Sequence, residues 1–434
     1  MRVRSPVPTT PPAPGTPSRT EIPRVIRWRA RCGLRVVAIP SPALPVVSVR
    51  LVLPSAGASA DPADAPGTAS LVTALIGEGT QEHDPDTLNE IIDALGVALE
   101  AHASHDVAEV SLSSLPEVLD EALPLLAEVA GSPSFPDDQV DRARGEVLDA
   151  LAARSDDPGT VADDTAAASV FGLDHPYGRP VDGTPEGVAG LTPSDLRGFH
   201  AARYRPEGAV LLVAGPVEEP LLRPLVDRAF AGWSGSAPAP VAPDAGRTEG
   251  RELRREWTGG QAEIRLATAG IPRTSDRWIS AAVTNYLLGG STITGRLGAN
   301  LREEKGWTYG AGSAFNPARG SGIWMASTAV EASVANEAVR EMMEEVRRLG
   351  SEPVTAYELR TAQDALVLSL ARAFETVEAR TARFASVDVF GLEEDYWERL
   401  TDNVRAVSPT EVRETARTLL GPDRLVRVVV GAPG

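Results

Sequence analysis

The chain repeats itself at an offset of 216 residues, from Leu191 to Val407, which restricts it to folds built from two similar halves. Leu191-Thr192-Pro193-Ser194-Asp195-Leu196-Arg197 matches Val407-Ser408-Pro409-Thr410-Glu411-Val412-Arg413. Both spell a helix start, with a Thr or Ser N-cap, Pro at the first helical position and an acid in the first turn. At equal distances downstream lie Val210-Leu211-Leu212-Val213-Ala214-Gly215 and Val426-Arg427-Val428-Val429-Val430-Gly431, two apolar runs closed by glycine that predict strands. Upstream, Thr160-Val161 pairs with Thr376-Val377, and Val170-Phe171-Gly172-Leu173 pairs with Val389-Phe390-Gly391-Leu392 after three further residues. The alternating run Val47-Ser48-Val49-Arg50-Leu51-Val52-Leu53 has its counterpart in Ala262-Glu263-Ile264-Arg265-Leu266-Ala267.

A length of 434 residues suits two domains of about 200 each. Ser234-Gly235-Ser236-Ala237-Pro238-Ala239-Pro240-Val241-Ala242-Pro243 has no periodicity and reads as a semi-rigid linker. The expected organisation is a disordered Pro-rich leader over 1–22, a first domain over 23–233, a linker over 234–248 and a second domain over 249–434. Strand runs mixed with longer amphipathic helices predict an α+β fold of two homologous domains, each a largely antiparallel sheet covered by helices on one face.

Several function classes drop out. A net charge of −18 repels phosphate backbones, and no basic run or aromatic platform offsets it, so nucleic-acid binding is not expected. No stretch reaches the roughly 18–20 apolar residues of a membrane span, and the leader holds no apolar block of a secretory signal. The single cysteine, Cys32, forms no intrachain disulfide, which suits a reducing cytoplasm.

The first half contains Pro66-Gly67-Thr68-Ala69-Ser70-Leu71-Val72-Thr73-Ala74-Leu75-Ile76-Gly77-Glu78-Gly79-Thr80, a predicted helix with Ala69, Val72, Leu75 and Ile76 on its buried side. With the strand before it and Gly79-Thr80 after it, this segment resembles the signature of the pitrilysin/insulinase family of zinc peptidases. In active members that helix bears His-x-x-Glu-His, two imidazoles for zinc and a general base on one helical face. Here Ser70 and Ala74 stand at the histidine positions and Thr73 at the glutamate position. The resemblance places the third ligand at Ala150, with Glu146 and Asp149 as neighbouring acids. Serine, threonine and alanine supply neither zinc ligands nor a base for water activation, so no metal and no catalytic residue are assigned to this chain. The histidines are His83, His102, His105, His175 and His200. On an extended strand His102 and His105 point to opposite faces and form no joint site.

In the second half, Leu287-Leu288-Gly289-Gly290-Ser291 leads into Gly295 through Gly310, which reads as a glycine-marked loop, a helix with Leu297 and Leu301 inward, a glycine stop at Gly306 and a strand. This resembles the family's second-domain segment in which an arginine of Leu-Arg-Glu and a tyrosine seven residues later face the peptide substrate. The matching residues are Arg302 and Tyr309. Arginine holds carbonyls or a carboxylate with a fork of donors, and a tyrosine hydroxyl donates to an oxygen on which charge develops. Ala101-His102-Ala103-Ser104 resembles the family's edge strand beside the zinc helix, which pairs with an extended peptide. Gly290 to Leu297 spaces glycines like a phosphate loop, but Arg296 and Leu297 replace the required Lys and Ser/Thr. No Gly-x-Ser-x-Gly elbow is present.

The resemblance, over about Pro23 to Gly431, implies a pitrilysin-like metallohydrolase fold. In bacterial members of this size and in mitochondrial processing peptidase, two such chains close around the substrate. It therefore implies a non-catalytic subunit, a zinc-bearing pitrilysin-family subunit as partner, a peptide as substrate, and zinc in the partner only. Two rivals are a structural or binding subunit comparable to the related core proteins of respiratory complexes, and a hydrolase with a metal-free site.

Overall fold

Alternation along Val47–Leu53 puts Val47, Val49, Leu51 and Leu53 on one face of a strand, and all four are buried. The computed structural model describes residues 20–43, 45–243, 245–246 and 249–431. Of the expected leader, residues 1–19 lie outside the described residues, and Ile22 packs partly buried against an apolar cluster. The described strands are β1 (Ile26–Arg29), β2 (Arg35–Pro40), β3 (Val47–Leu53), β4 (Ala98–Ala103), β5 (Ala108–Ser114), β6 (Val210–Gly215), β7 (Glu252–Arg255), β8 (Gln261–Ala269), β9 (Ala311–Asn316), β10 (Ile323–Glu331) and β11 (Val426–Val430).

The two sheets run β1-β2-β6-β3-β5-β4 and β7-β11-β8-β10-β9. Apart from β1 they superpose in order, with β6 and β11, and β3 and β8, as the repeated strands. Both repeated helix starts close as capping boxes, Thr192 with Asp195 and Ser408 with Glu411. Each sheet carries one parallel pair, β2 with β6 and β7 with β11, and the remaining pairs are antiparallel.

One face of the first sheet packs under the helices Thr68–Leu75 and Leu119–Gly131, through Leu71, Val72, Leu75, Leu123 and Leu126. The matching face of the second sheet lies under Ala335–Ser351 and Pro409–Leu419, through Val339, Met342, Val346 and Val412. The opposite faces are covered by exchange. Helix Val377–Phe390, from the second half, lays Phe384, Ala385 and Val387 on Val37, Ile39, Val210 and Leu212 of the first sheet. Helix Pro158–Phe171, from the first half, lays Val161, Ala162, Ala166 and Val170 on Ala267, Val426 and Val428 of the second. The repeated pairs fall in their first turns, Thr160-Val161 just inside the one helix and Thr376-Val377 as N-cap and first residue of the other. Each half thus covers one face of its own sheet with its own helices, as expected, and the opposite face takes a helix from the other half. Strands such as β6, buried at every position from Val210 to Gly215, are apolar on both sides and require a second cover.

Polar contacts lock the exchange. Arg265 of β8 donates to Asp163 at 2.5 Å and to the Gly159 carbonyl at 3.2 Å. Asp106, in the β4–β5 turn, accepts from the Tyr177 hydroxyl at 2.7 Å and from the Arg319 backbone N–H at 2.6 Å. The Arg319 guanidinium donates to the carbonyls of Pro54 and Val389, so this arginine joins both halves.

Candidate functional site

Helix Thr68–Leu75 begins at Gly67, whose φ of 103° is left-handed. Asp61 accepts the N–H groups of Gly67 at 2.7 Å and Ala69 at 2.8 Å and so takes up free donors at the helix start. Burial pushes its carboxyl up to about 6, against the opposing effect of those two bonds. The sequence reading did not single out Asp61, although an acid a few residues ahead of a helix start is a recognisable signal.

The motif positions are inert toward zinc. Ser70 donates to Asp182 at 2.8 Å. The Thr73 hydroxyl is buried and bonds back to the carbonyl of Ala69, and Ala74 is exposed. Ala150 is exposed on helix Asp137–Arg154, which packs against the motif helix. Glu146 is held by Arg142 at 2.8 Å, and Arg142 also pairs with Glu78 at 3.0 Å. A hydroxyl spent on its own helix, a hydroxyl held by Asp182 and two methyl groups do not fit a zinc ion. Among the described residues one trio brings metal-ligating atoms together, Glu82, His83 and Glu128, and it lies outside the motif.

β4 is the free edge of its sheet, and its burial alternates. Leu99, Ala101 and Ala103 pack toward the core beside the motif helix, and His102 points to the other face. An antiparallel edge strand presents the N–H and C=O groups of alternate residues to solvent. Ser104 does not extend that edge. Its N–H donates to Val107 at 2.8 Å and its carbonyl accepts from Ala58 at 2.9 Å, so it closes the β4–β5 turn. His102 bonds Glu109 at 3.2 Å, and this partner raises its pKa. Burial pushes Glu109 up, but His102 and Arg50 more than offset that and hold it below the usual carboxylate range. His105 is not on the strand. It lies in the turn, bonded to the Arg179 carbonyl at 3.0 Å, well apart in role from His102.

In the second half, Leu297 and Leu301 are fully buried, and the stretches Tyr286–Gly290 and Ala299–Glu304 are wound as π-helix, a form concentrated at functional sites. A Cβ on Gly289 would stand 2.7 Å from the Ser313 nitrogen, so only glycine lets the helix end approach β9 this closely. Gly306, at φ 65°, stops the helix, with bonds from its own N–H to the Arg302 carbonyl and from Trp307 to Leu301. Tyr309 follows in a bend just before β9 and is 97% exposed. The Arg302 side chain is 38% exposed and meets Glu303 at 3.6 Å. Arg302 and Tyr309 thus share one surface segment, whereas β4 belongs to the other sheet, and no hydrogen bond or ion pair among the described residues joins the two.

Residues 35–183 match the profile of insulinase (peptidase family M16), and residues 190–366 match that of the peptidase M16 inactive domain. The chain belongs to peptidase family M16. The second match crosses from the first half into the second. A protein of Mycobacterium tuberculosis named an uncharacterized zinc protease is 29% identical to this M16 chain over 422 residues, 95% of this chain and 93% of that protein. A peptidase M16 inactive domain from Pseudomonas fluorescens superposes with a TM-score of 0.88 at 26% identity, covering 94% of this chain and 98% of that one. Bovine cytochrome b-c1 complex subunit 1 is 25% identical over 238 residues, 54% of this chain and 49% of that protein. No helix among the described residues is long and apolar enough to cross a membrane.

Proposed function

We propose that this M16 chain is the non-catalytic, substrate-binding subunit of a cytoplasmic heterodimeric zinc metallopeptidase, and that it closes with a zinc-bearing M16 subunit around a peptide. The observation that carries this reading is a contrast within the chain. The motif helix keeps its fold with Ser70, Thr73 and Ala74 in place of ligands and base, while Tyr309 projects almost fully into solvent. An aromatic ring left this exposed has no packing role in the free chain.

Zinc in the partner would supply an activated water for attack on the peptide carbonyl. Arg302 holds a substrate carbonyl or carboxylate through its donor fork, and Tyr309 donates its hydroxyl toward the oxygen on which charge develops. The β4 edge at Ala101, His102 and Ala103 offers backbone pairing to an extended peptide. A second reading, a structural or peptide-binding protein with no part in proteolysis, draws on the similarity to the cytochrome b-c1 subunit.

Reconstitution with the zinc-bearing subunit separates the two. Arg302→Ala and Tyr309→Phe each cost about 1.5–4 kcal/mol of transition-state stabilisation under the first reading, read from kcat/KM. Unchanged kinetics in both variants would favour the second.

A further inference from the structure

We propose that Glu82, His83 and Glu128 form a site for a divalent ion of zinc's class, separate from the motif helix. The geometry begins with the turn that follows that helix. Thr80 N–H donates to the His83 carbonyl at 2.8 Å, and the Thr80 hydroxyl oxygen accepts the backbone N–H groups of Glu82 at 3.2 Å and His83 at 2.9 Å. The same hydroxyl donates to Glu128, on helix Leu119–Gly131. One threonine thus fixes the backbone that projects two of the side chains and orients the carboxylate of the third. Such outer bonds align ligands at metal centres.

The three side chains converge. His83 Nδ1 lies 2.9 Å from Glu128 Oε1, and one ligand atom from each residue lies within 4.8 Å of the others. Small side-chain rotations bring these atoms to a common ion at bonds of about 2.0–2.2 Å. The ion takes the place of the proton between imidazole and carboxylate. Glu82 is exposed, and its carboxylate engages no hydrogen bond or ion pair among the described residues. A cavity of about 310 Å³, lined by Glu82, Glu128, Ser132 and Trp233, leaves room for water ligands. One imidazole with two carboxylates suits zinc, nickel or copper better than calcium or magnesium, which favour all-oxygen shells. A bound ion would pin the Thr80–His83 turn to Leu119–Gly131, a stabilising role that requires no hydrolysis.

The test titrates zinc chloride into the chelator-stripped full chain by calorimetry and follows thermal melting in parallel. The site predicts one zinc per chain and a melting temperature that rises with zinc concentration. Glu82→Gln leaves every bond of the Thr80–Glu128–His83 cluster in place, so its metal-free melting is unchanged while its zinc affinity falls at least about tenfold, and His83→Gln falls likewise. Wild-type affinity in Glu82→Gln, or weak binding at several sites without a defined stoichiometry, would reduce the trio to a hydrogen-bonded pair beside a solvated carboxylate and overturn the proposal.

Discussion

Ser70, which the family resemblance aligns with the first histidine of the zinc motif, donates its hydroxyl to Asp182 at 2.8 Å. Among the described residues no hydrogen bond or ion pair joins a histidine to Ser70 or to Asp182, so no base that would make the serine a nucleophile is seen beside it. Its role is to tie the helix to the loop that follows the first exchanged helix.

Ser70→Ala therefore lowers stability by about 1 kcal/mol in urea denaturation and leaves peptidase activity of the assembled complex intact. A tenfold loss of activity without loss of assembly would instead assign Ser70 a chemical role and revive the metal-free hydrolase.

The Asp106 carboxylate is buried and serves a hydroxyl of its own half and a backbone N–H of the other. Asp106→Ala leaves both donors without an acceptor and costs about 3 kcal/mol. Tyr177→Phe removes two bonds, the one its hydroxyl donates to Asp106 and the one it accepts from the Gly320 N–H at 3.2 Å, and costs about 2 kcal/mol, a ranking that denaturant midpoints check directly.

Phe384 rides on the exchanged helix Val377–Phe390, 3% exposed, with its ring 5.6 Å from that of Phe374. Phe384→Ala costs about 3–5 kcal/mol. Because each half supplies a cover for the other's sheet, calorimetry of the wild type is expected to show one unfolding transition. Two well-separated transitions would contradict that coupling.

His200 packs against Tyr204, bonds the Ala130 carbonyl at 2.9 Å and is pushed down to about 4, chiefly by burial. It stays neutral in the folded chain while the unfolded chain protonates near 6.5. Its stabilising contribution is complete above about 6.5 and is lost as pH falls toward 4, on the order of 3 kcal/mol. Asp61 acts in the opposite sense. Its carboxyl, raised to about 6, takes up a proton in the folded state first, so acid stabilises through this group as pH falls from 6 toward 3.8. Comparing wild type with His200→Gln across pH 7 to 4 cancels Asp61, and the wild type is expected to lose stability faster.

Much of this architecture was legible in the repeat. The strands Val210–Gly215 and Val426–Val430, their capped helices and the alternating β3 and β8 follow from local periodicity and cap chemistry. The sheet covered by Pro158–Phe171 or Val377–Phe390 is a long-range choice, and local pattern carries no sign of it. His105 falls in a turn because Ser104 and Asp106 supply turn chemistry, which outweighed the apparent run of the strand. That Ser70, Thr73 and Ala74 bring no imidazole or carboxylate is visible in the sequence itself. The exposure of Tyr309 is not, since one tyrosine before a strand reads equally as packed or free. The approach of His83 to Glu128, 45 positions later, had no sequence signal at all.

The most direct test purifies the tagged chain from its native cells and assays zinc content and peptidase activity of the preparation, before and after a chelator, beside the chain produced alone. The account predicts a co-purifying M16 subunit of similar size bearing His-x-x-Glu-His, with chelator-sensitive proteolysis that the lone chain lacks. Proteolysis by the lone chain that survives the chelator, or a native preparation without such a partner and without activity, would contradict it.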